Sequence, residues 1–171
     1  MSRMITFLLV FLAGTLFSTS LSAASKRPAD AWNYYHFNGT AFSPGPADEG
    51  TAFVAVREKM RPVVLTAQAK QLEPIPLPDD SGVIAGICYL QSSGGKLGDN
   101  SGFKPYPNVQ LLISAAGKQP VTVQTDNNGF FVAVLSAGTY SVGSGPYNTD
   151  ITVERGITTL VPLRAGKRMV D

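Results

Sequence analysis

Between Gly82 and Leu163 short apolar runs alternate with glycine-bearing turns, and this rhythm limits the fold more than any other feature of the chain. "GVIAGICYLQ" (82–91) gives way to the loop "SSGGKLGDNSGFKPYP", and "NVQLLIS" (108–114) sets Val109, Leu111 and Ile113 on one face. "VTVQT" leads into Asp126-Asn127-Asn128-Gly129, a corner that tolerates positive φ, from which "FFVAVL" returns as the second arm of a hairpin. "SAG" precedes "TYSVGS", and "DITVE", the turn "RG" and "ITTLVPL" complete the series. Seven short strands in about eighty residues predict two sheets packed face to face, a β-sandwich.

Composition agrees with this. Seventeen Gly and twelve Pro favour a turn-rich β protein over a helix bundle, and 44% hydrophobic residues suffice for a real core. A length of 171 residues fits one domain with extensions. The formal net charge is only +2, and the first basic cluster is Arg164, Lys167 and Arg168 in the tail. The clustered Lys and Arg of a nucleic-acid footprint are missing, so that class of partner is excluded.

At the N-terminus Arg3 precedes the apolar run "MITFLLVFLAGTLF", which small residues follow in "STSLSAAS". Ser22 and Ala24 stand three and one residues before a cleavage point, so residues 1–24 are expected to be a secretory signal peptide and the mature chain to begin at Ser25. The run is too short for an anchor helix, which needs about 20 apolar residues. No Cys follows it to carry a lipid, and no later stretch is apolar enough to span a bilayer. A secreted or periplasmic protein is expected.

Residues 25–81 form an extension. Trp32, Tyr34, Tyr35, Phe37 and Phe42 crowd its first part without a helical or strand period, so a partly extended arm ending at "SPGPADEG" is expected. "TAFVAVRE" is a short strand candidate, and "LTAQAKQL" reads as a strand or a brief helix. Pro74, Pro76 and Pro78 enforce an extended connector that marks a boundary with the sandwich, residues 82–164. Residues 165–171 are a basic tail. Asn38-Gly39-Thr40 is a glycosylation sequon, meaningful only in a eukaryotic host.

The motif order within 82–163 resembles the carboxypeptidase regulatory-like domain. The matching pieces are Ile84-Ala85-Gly86-Ile87-Cys88, Pro107-Asn108-Val109, Thr125 to Phe131, Ala137-Gly138-Thr139-Tyr140-Ser141-Val142, and Val153 to Thr158. The resemblance implies an all-β, seven-stranded prealbumin-like (Ig-like) sandwich that serves as a non-enzymatic accessory or interaction module.

A search for chemistry finds no convergent set. His36 and Cys88 are each the only residue of their type, which cannot supply the common zinc sites. Cys88 shares a strand face with Ile84 and Gly86, as a buried hydrophobe does; an intermolecular disulfide or reactive thiol is the rival reading. "SSGGKLGDNSG" fails the phosphate-loop pattern at Leu90 and Leu97. Asp126, Asn128 and Gly129 resemble part of a calcium loop, but Gln124 replaces the first ligand and no Glu closes the set. No catalytic residue, cofactor or metal is expected.

The aromatic arm is left. It packs across the sandwich in cis, or inserts into a neighbouring subunit by strand addition, or presents rings for sugar stacking. The expected function is a structural or interaction role at the cell envelope or outside the cell. The partner would be another envelope or extracellular protein, or a second copy in self-assembly. The alternative is carbohydrate binding through exposed aromatics and the 92–106 loop, with a polysaccharide as partner. Trp32, Tyr34, Tyr35, Phe37, Phe103 and Tyr106 are the candidate contact residues for either.

Overall fold

The computed structural model describes residues 31–69, 71–93 and 102–169, with the side chains of residues 92–93 and 167–169 outside the description. The signal-peptide reading and the middle of the 92–106 loop therefore lie outside the described residues. All regular structure among those residues is β: β1 (Asn33–Phe37), β2 (Phe42–Pro44), β3 (Phe53–Val56), β4 (Val63–Leu65), β5 (Ser81–Ser93), β6 (Gly102–Pro105), β7 (Gln110–Ser114), β8 (Val121–Gln124), β9 (Phe130–Ser136), β10 (Gly138–Ser144), β11 (Tyr147–Val153) and β12 (Thr158–Met169).

The expected sandwich is present, and its seven strands are β5 and β7 to β12. One sheet runs β11-β10-β7-β8. The other centres on β5, with β12 parallel along one side and β9 and then β6 antiparallel along the other. Strand β6 comes from inside the long loop after β5 and is additional to the seven. The corner at 126–129 is not a hairpin, because β8 pairs with β7 while β9 pairs with β5. It carries the chain from one sheet to the other. The Asp126 Oδ1 accepts the amides of Asn128 and Phe130, both at 2.8 Å, and Gly129 takes φ +77. Those two bonds wind the turn tightly enough to change sheets.

Ile84, Cys88, Phe131, Ala133, Leu135, Val161 and Leu163 of the β5 sheet meet Leu111, Ile113, Tyr140, Val142, Ile151 and Val153 of the opposite sheet. Phe131 and Leu135 therefore point inward, as does Cys88. Gly86 is the close-approach point of this core. It stands across from Phe131 on β9 and Val161 on β12, and a Cβ there would run into the Val161 carbonyl and the Phe131 ring.

The arm departs from expectation. Residues 33–65 form a third layer, the antiparallel sheet β2-β1-β3-β4, where an extended segment was expected at 25–50. Its inner face sets Phe37 and Val54, with Phe42, Val56 and Val64, on Ala85, Ile87, Tyr89, Phe130, Val132 and Leu160 of the β5 sheet. Successive strand residues face opposite sides, so the unbroken apolar runs of β5 and β9 serve two cores at once. That burial draws the arm into a sheet. Phe37 is the keystone, with ring centroids 4.7 Å from both Tyr89 and Phe103 and 5.7 Å from Phe42.

Among its described residues "LTAQAKQL" is neither helix nor strand past Leu65. Thr66 Oγ1 accepts the amides of Gln68 at 3.2 Å and Ala69 at 3.0 Å, which turns the chain back. The proline connector is extended as expected but docked, through Arg61 N to the Ile75 carbonyl at 2.8 Å and Leu77 N to the Lys59 carbonyl at 2.9 Å.

Two substitutions test this packing by denaturant unfolding. Phe37→Ala should cost about 3–5 kcal/mol, the usual cost of truncating a buried Phe, whereas an arm that merely rests on the surface would lose well under about 1 kcal/mol. Gly86→Val should prevent folding altogether, because its side chain meets backbone that cannot yield.

Candidate functional site

The inner face of the third layer packs on the β5 sheet, while the outer face is partly open, with Ala55 and Leu65 buried and Tyr34 exposed. Strand alternation and the Tyr34–Ala55, His36–Phe53 and Phe53–Leu65 pairings place Tyr34, His36, Phe53, Ala55, Val63 and Leu65 on that outer face. Tyr34 is exposed and meets Phe53 edge-on, with centroids 5.9 Å apart.

Two short segments rise beside this face. The first is "GPADEGT", joining β2 to β3. Gly45 N donates to the Tyr34 carbonyl at 2.8 Å, His36 Nδ1 donates to the Gly45 carbonyl at 3.2 Å, and Thr51 N closes a turn on the Asp48 carbonyl at 3.0 Å. His36 is thus the pin that sets where this loop leaves the sheet. The second is the Thr66 turn after β4. Between them lies an open cavity of about 460 Å³, lined by residues 47–51, Phe53 and residues 65–67. Phe53 and Leu65 form its apolar floor, while Asp48 and Glu49 stand exposed on its rim. On the other side of the same loop a smaller crevice of about 210 Å³ is lined by Phe37, Ile87, Phe103 and Phe130, with Gly50 and Thr51 common to both.

The aromatic residues singled out from sequence do not form one patch. Phe37 is buried, and Phe103 is half-buried against it, so both belong to the inner core. Trp32 and Tyr35 are half-buried, Tyr34 lies on the outer face, and Tyr106 is exposed beside the 126–129 turn, its amide bonded to the Cys88 carbonyl. The cavity residues Asp48, Glu49, Phe53, Leu65 and Thr66 were not singled out. Two adjacent acids in a loop, followed by an aromatic in a strand without a polar face, were the available signal.

Cys88, Lys118, Ser136 and Tyr140 are engaged in structure. Cys88 is buried, and desolvation pushes its thiol up to about 11. Lys118 Nζ, on an exposed turn, donates to Ser136 Oγ at 2.7 Å and Tyr140 Oη at 2.8 Å, and Tyr140 Oη donates to the Ser136 carbonyl at 2.8 Å. This ties the β9–β10 corner to the turn after β7. Burial opposes ionisation of Tyr140, but the hydrogen bonds from Lys118 and Ser136 and the Lys118 charge together bring its pKa below the ordinary value. Among the described residues no group of His, Cys, Asp and Glu is arranged to hold a metal ion.

No known protein family matches the chain, and no curated protein matches it in sequence. Among solved structures, a DUF3823 family protein from Parabacteroides merdae is similar over 51% of this chain and 46% of its own, with 23% identity and a TM-score of 0.34. GBS52, the minor pilin of Streptococcus agalactiae, is similar over 76% of this chain and 66% of its own, with 14% identity and a TM-score of 0.42. The Bacillus anthracis TIE protein is similar over 72% and 27%, with 12% identity and a TM-score of 0.38. The chain covers less than two thirds of the length of each of these proteins.

Cys88 and Tyr140 give two titration tests. A thiol reagent at pH 8 should leave Cys88 unmodified in the folded protein and react at once on unfolding. Because the folded thiol ionises near 11 and the unfolded one near 9, stability should fall as pH rises between those values, and Cys88→Ala should lose that dependence. Lys118→Met should move the Tyr140 phenol upward, read by ultraviolet titration against Tyr140→Phe.

Proposed function

We propose that this chain is an exported, non-enzymatic interaction module that engages another protein through the outer face of its N-terminal sheet. The observation that carries this reading is the open, acidic-rimmed cavity on a layer whose opposite face packs on the β5 sheet. A third layer with only a structural purpose gains nothing from a concave outer side. The hydrophobic, small-residue pattern of residues 1–24 supports export. The motif order that resembles a carboxypeptidase regulatory-like domain falls on β5 and β7 to β12, which supports an accessory role. Buried, protonated Cys88 and the fully engaged Ser136–Lys118–Tyr140 group support a non-catalytic scaffold. The glycan alternative drew on Trp32, Tyr34, Tyr35, Phe37, Phe103 and Tyr106 with the 92–106 loop, and Phe37 and Phe103, which meet edge to face in the inner core, give it no support.

Site-specific photo-cross-linking in the native host tests this. A photoreactive residue at exposed Ala67, beside the cavity, should give one discrete protein adduct outside the cytoplasm. The same residue at Leu112, exposed on the far sheet, should give none. No adduct from position 67, or the same adducts from both positions, contradicts the proposal.

A further inference from the structure

We infer that the cavity between residues 47–51 and 65–67 receives the side chain of a Lys or Arg presented on an extended segment of the partner protein. This rests on the reading of the outer face as an interaction surface. The lining offers two chemistries in the sequence in which such a side chain carries them. Phe53, Leu65, Ala47 and Ala67 are apolar and suit a methylene stem, while Asp48 and Glu49 bring two carboxylates and the lining contains no Lys or Arg. Long cationic side chains lay their stems on apolar surface and keep the charged head at a polar rim, and this cavity has that polarity gradient.

Among the described residues no ion pair or side-chain hydrogen bond engages either carboxylate. The pair therefore forms a negative potential unopposed within the lining, on a chain whose net charge is +2. The Phe53 ring adds a cation–π face on the floor. A volume of about 460 Å³ exceeds one Lys or Arg side chain and leaves room for the backbone that delivers it.

The arm of a second copy is not available as the occupant. In this chain β1 to β4 already form one sheet, and Phe37 and Phe42 of the arm pack in cis on the β5 sheet. The occupant is therefore assigned to a different protein.

Amide-shift titration of the full mature chain, ¹⁵N-labelled, tests the inference with three blocked peptides of the form Thr-Val-Xaa-Val-Thr. Xaa is Lys, norleucine or Glu. The Lys peptide should shift residues 48–51 and 65–67 with Kd on the order of 1 mM, the norleucine peptide should bind at least about tenfold more weakly, and the Glu peptide should not bind. Raising salt from about 0.05 M to about 0.5 M should weaken only the Lys peptide. In Asp48→Asn/Glu49→Gln, with unchanged shifts elsewhere verifying the fold, the Lys and norleucine peptides should converge. Equal binding of the two in the unaltered protein, or no binding of the Lys peptide, overturns the cation assignment. If the cross-link from position 67 persists in that case, the interaction surface stands without it. If the cross-link is also absent, the surface reading itself has failed.

Discussion

From Ser81 to Tyr89 strand β5 has no face left for water. Ile84 and Cys88 look into one core, Ala85, Ile87 and Tyr89 into another, and each of these residues is buried. β9 repeats much of the arrangement with Phe131, Ala133 and Leu135 on one side and Phe130 and Val132 on the other, where Val134 near its end is exposed. A sheet apolar on both faces is unstable in water until both are covered, because each exposed core side chain forgoes about 1.5–3 kcal/mol of burial. The sandwich partner sheet covers one face. The only other sheet among the described residues is the N-terminal one, and it covers the second. The third layer is thus a consequence of the composition of β5 and β9, and the position of everything on it follows.

The candidate site inherits its rigidity from that arrangement. Phe37 and Val54 fix the inner side of the N-terminal sheet, which leaves exposed Tyr34 and half-buried Phe53 on the outer side, above buried Leu65. The loop carrying Asp48 and Glu49 is held at its start by His36 and Tyr34 and at its end by strand β3. A binding loop on a rigid scaffold keeps its geometry without a ligand, which reduces the ordering cost when one arrives. The lone histidine anchors the wall of the cavity.

How much of this was legible in the sequence differed by region, for physical reasons. All seven sandwich strands could be read, since each is a short apolar run closed by turn residues with specific φ demands, such as Gly129. Pairing was less legible: Asp126 to Gly129 has the composition of a hairpin, yet its side-chain bonds turn the chain into the opposite sheet. The arm was misread because β1 and β2 lack periodicity of their own. "NYYHF" places Tyr34 outward and Phe37 inward with similar hydrophobicity on both sides, so alternation is invisible. The missing clue lay elsewhere. "VIAGICY" and "FFVAVL" are continuous apolar runs, the mark of strands buried on both faces, and a simple sandwich with one wet face would not need them. The cavity could not be read at all, because its walls come from residues 47–51 and 65–67, separated by two strands.

Two probes that the chain carries by nature test the central claim, that double burial of the β5 sheet makes three layers one cooperative unit. Trp32, the only tryptophan, reports on the N-terminal layer, and Cys88, the only cysteine, reports on the sandwich core. Equilibrium unfolding in urea should show Trp32 fluorescence and Cys88 thiol accessibility changing together, with one midpoint. A Trp32 transition completed at lower urea, with Cys88 still protected, would contradict the account, because the sandwich would then be stable with its outer face bare.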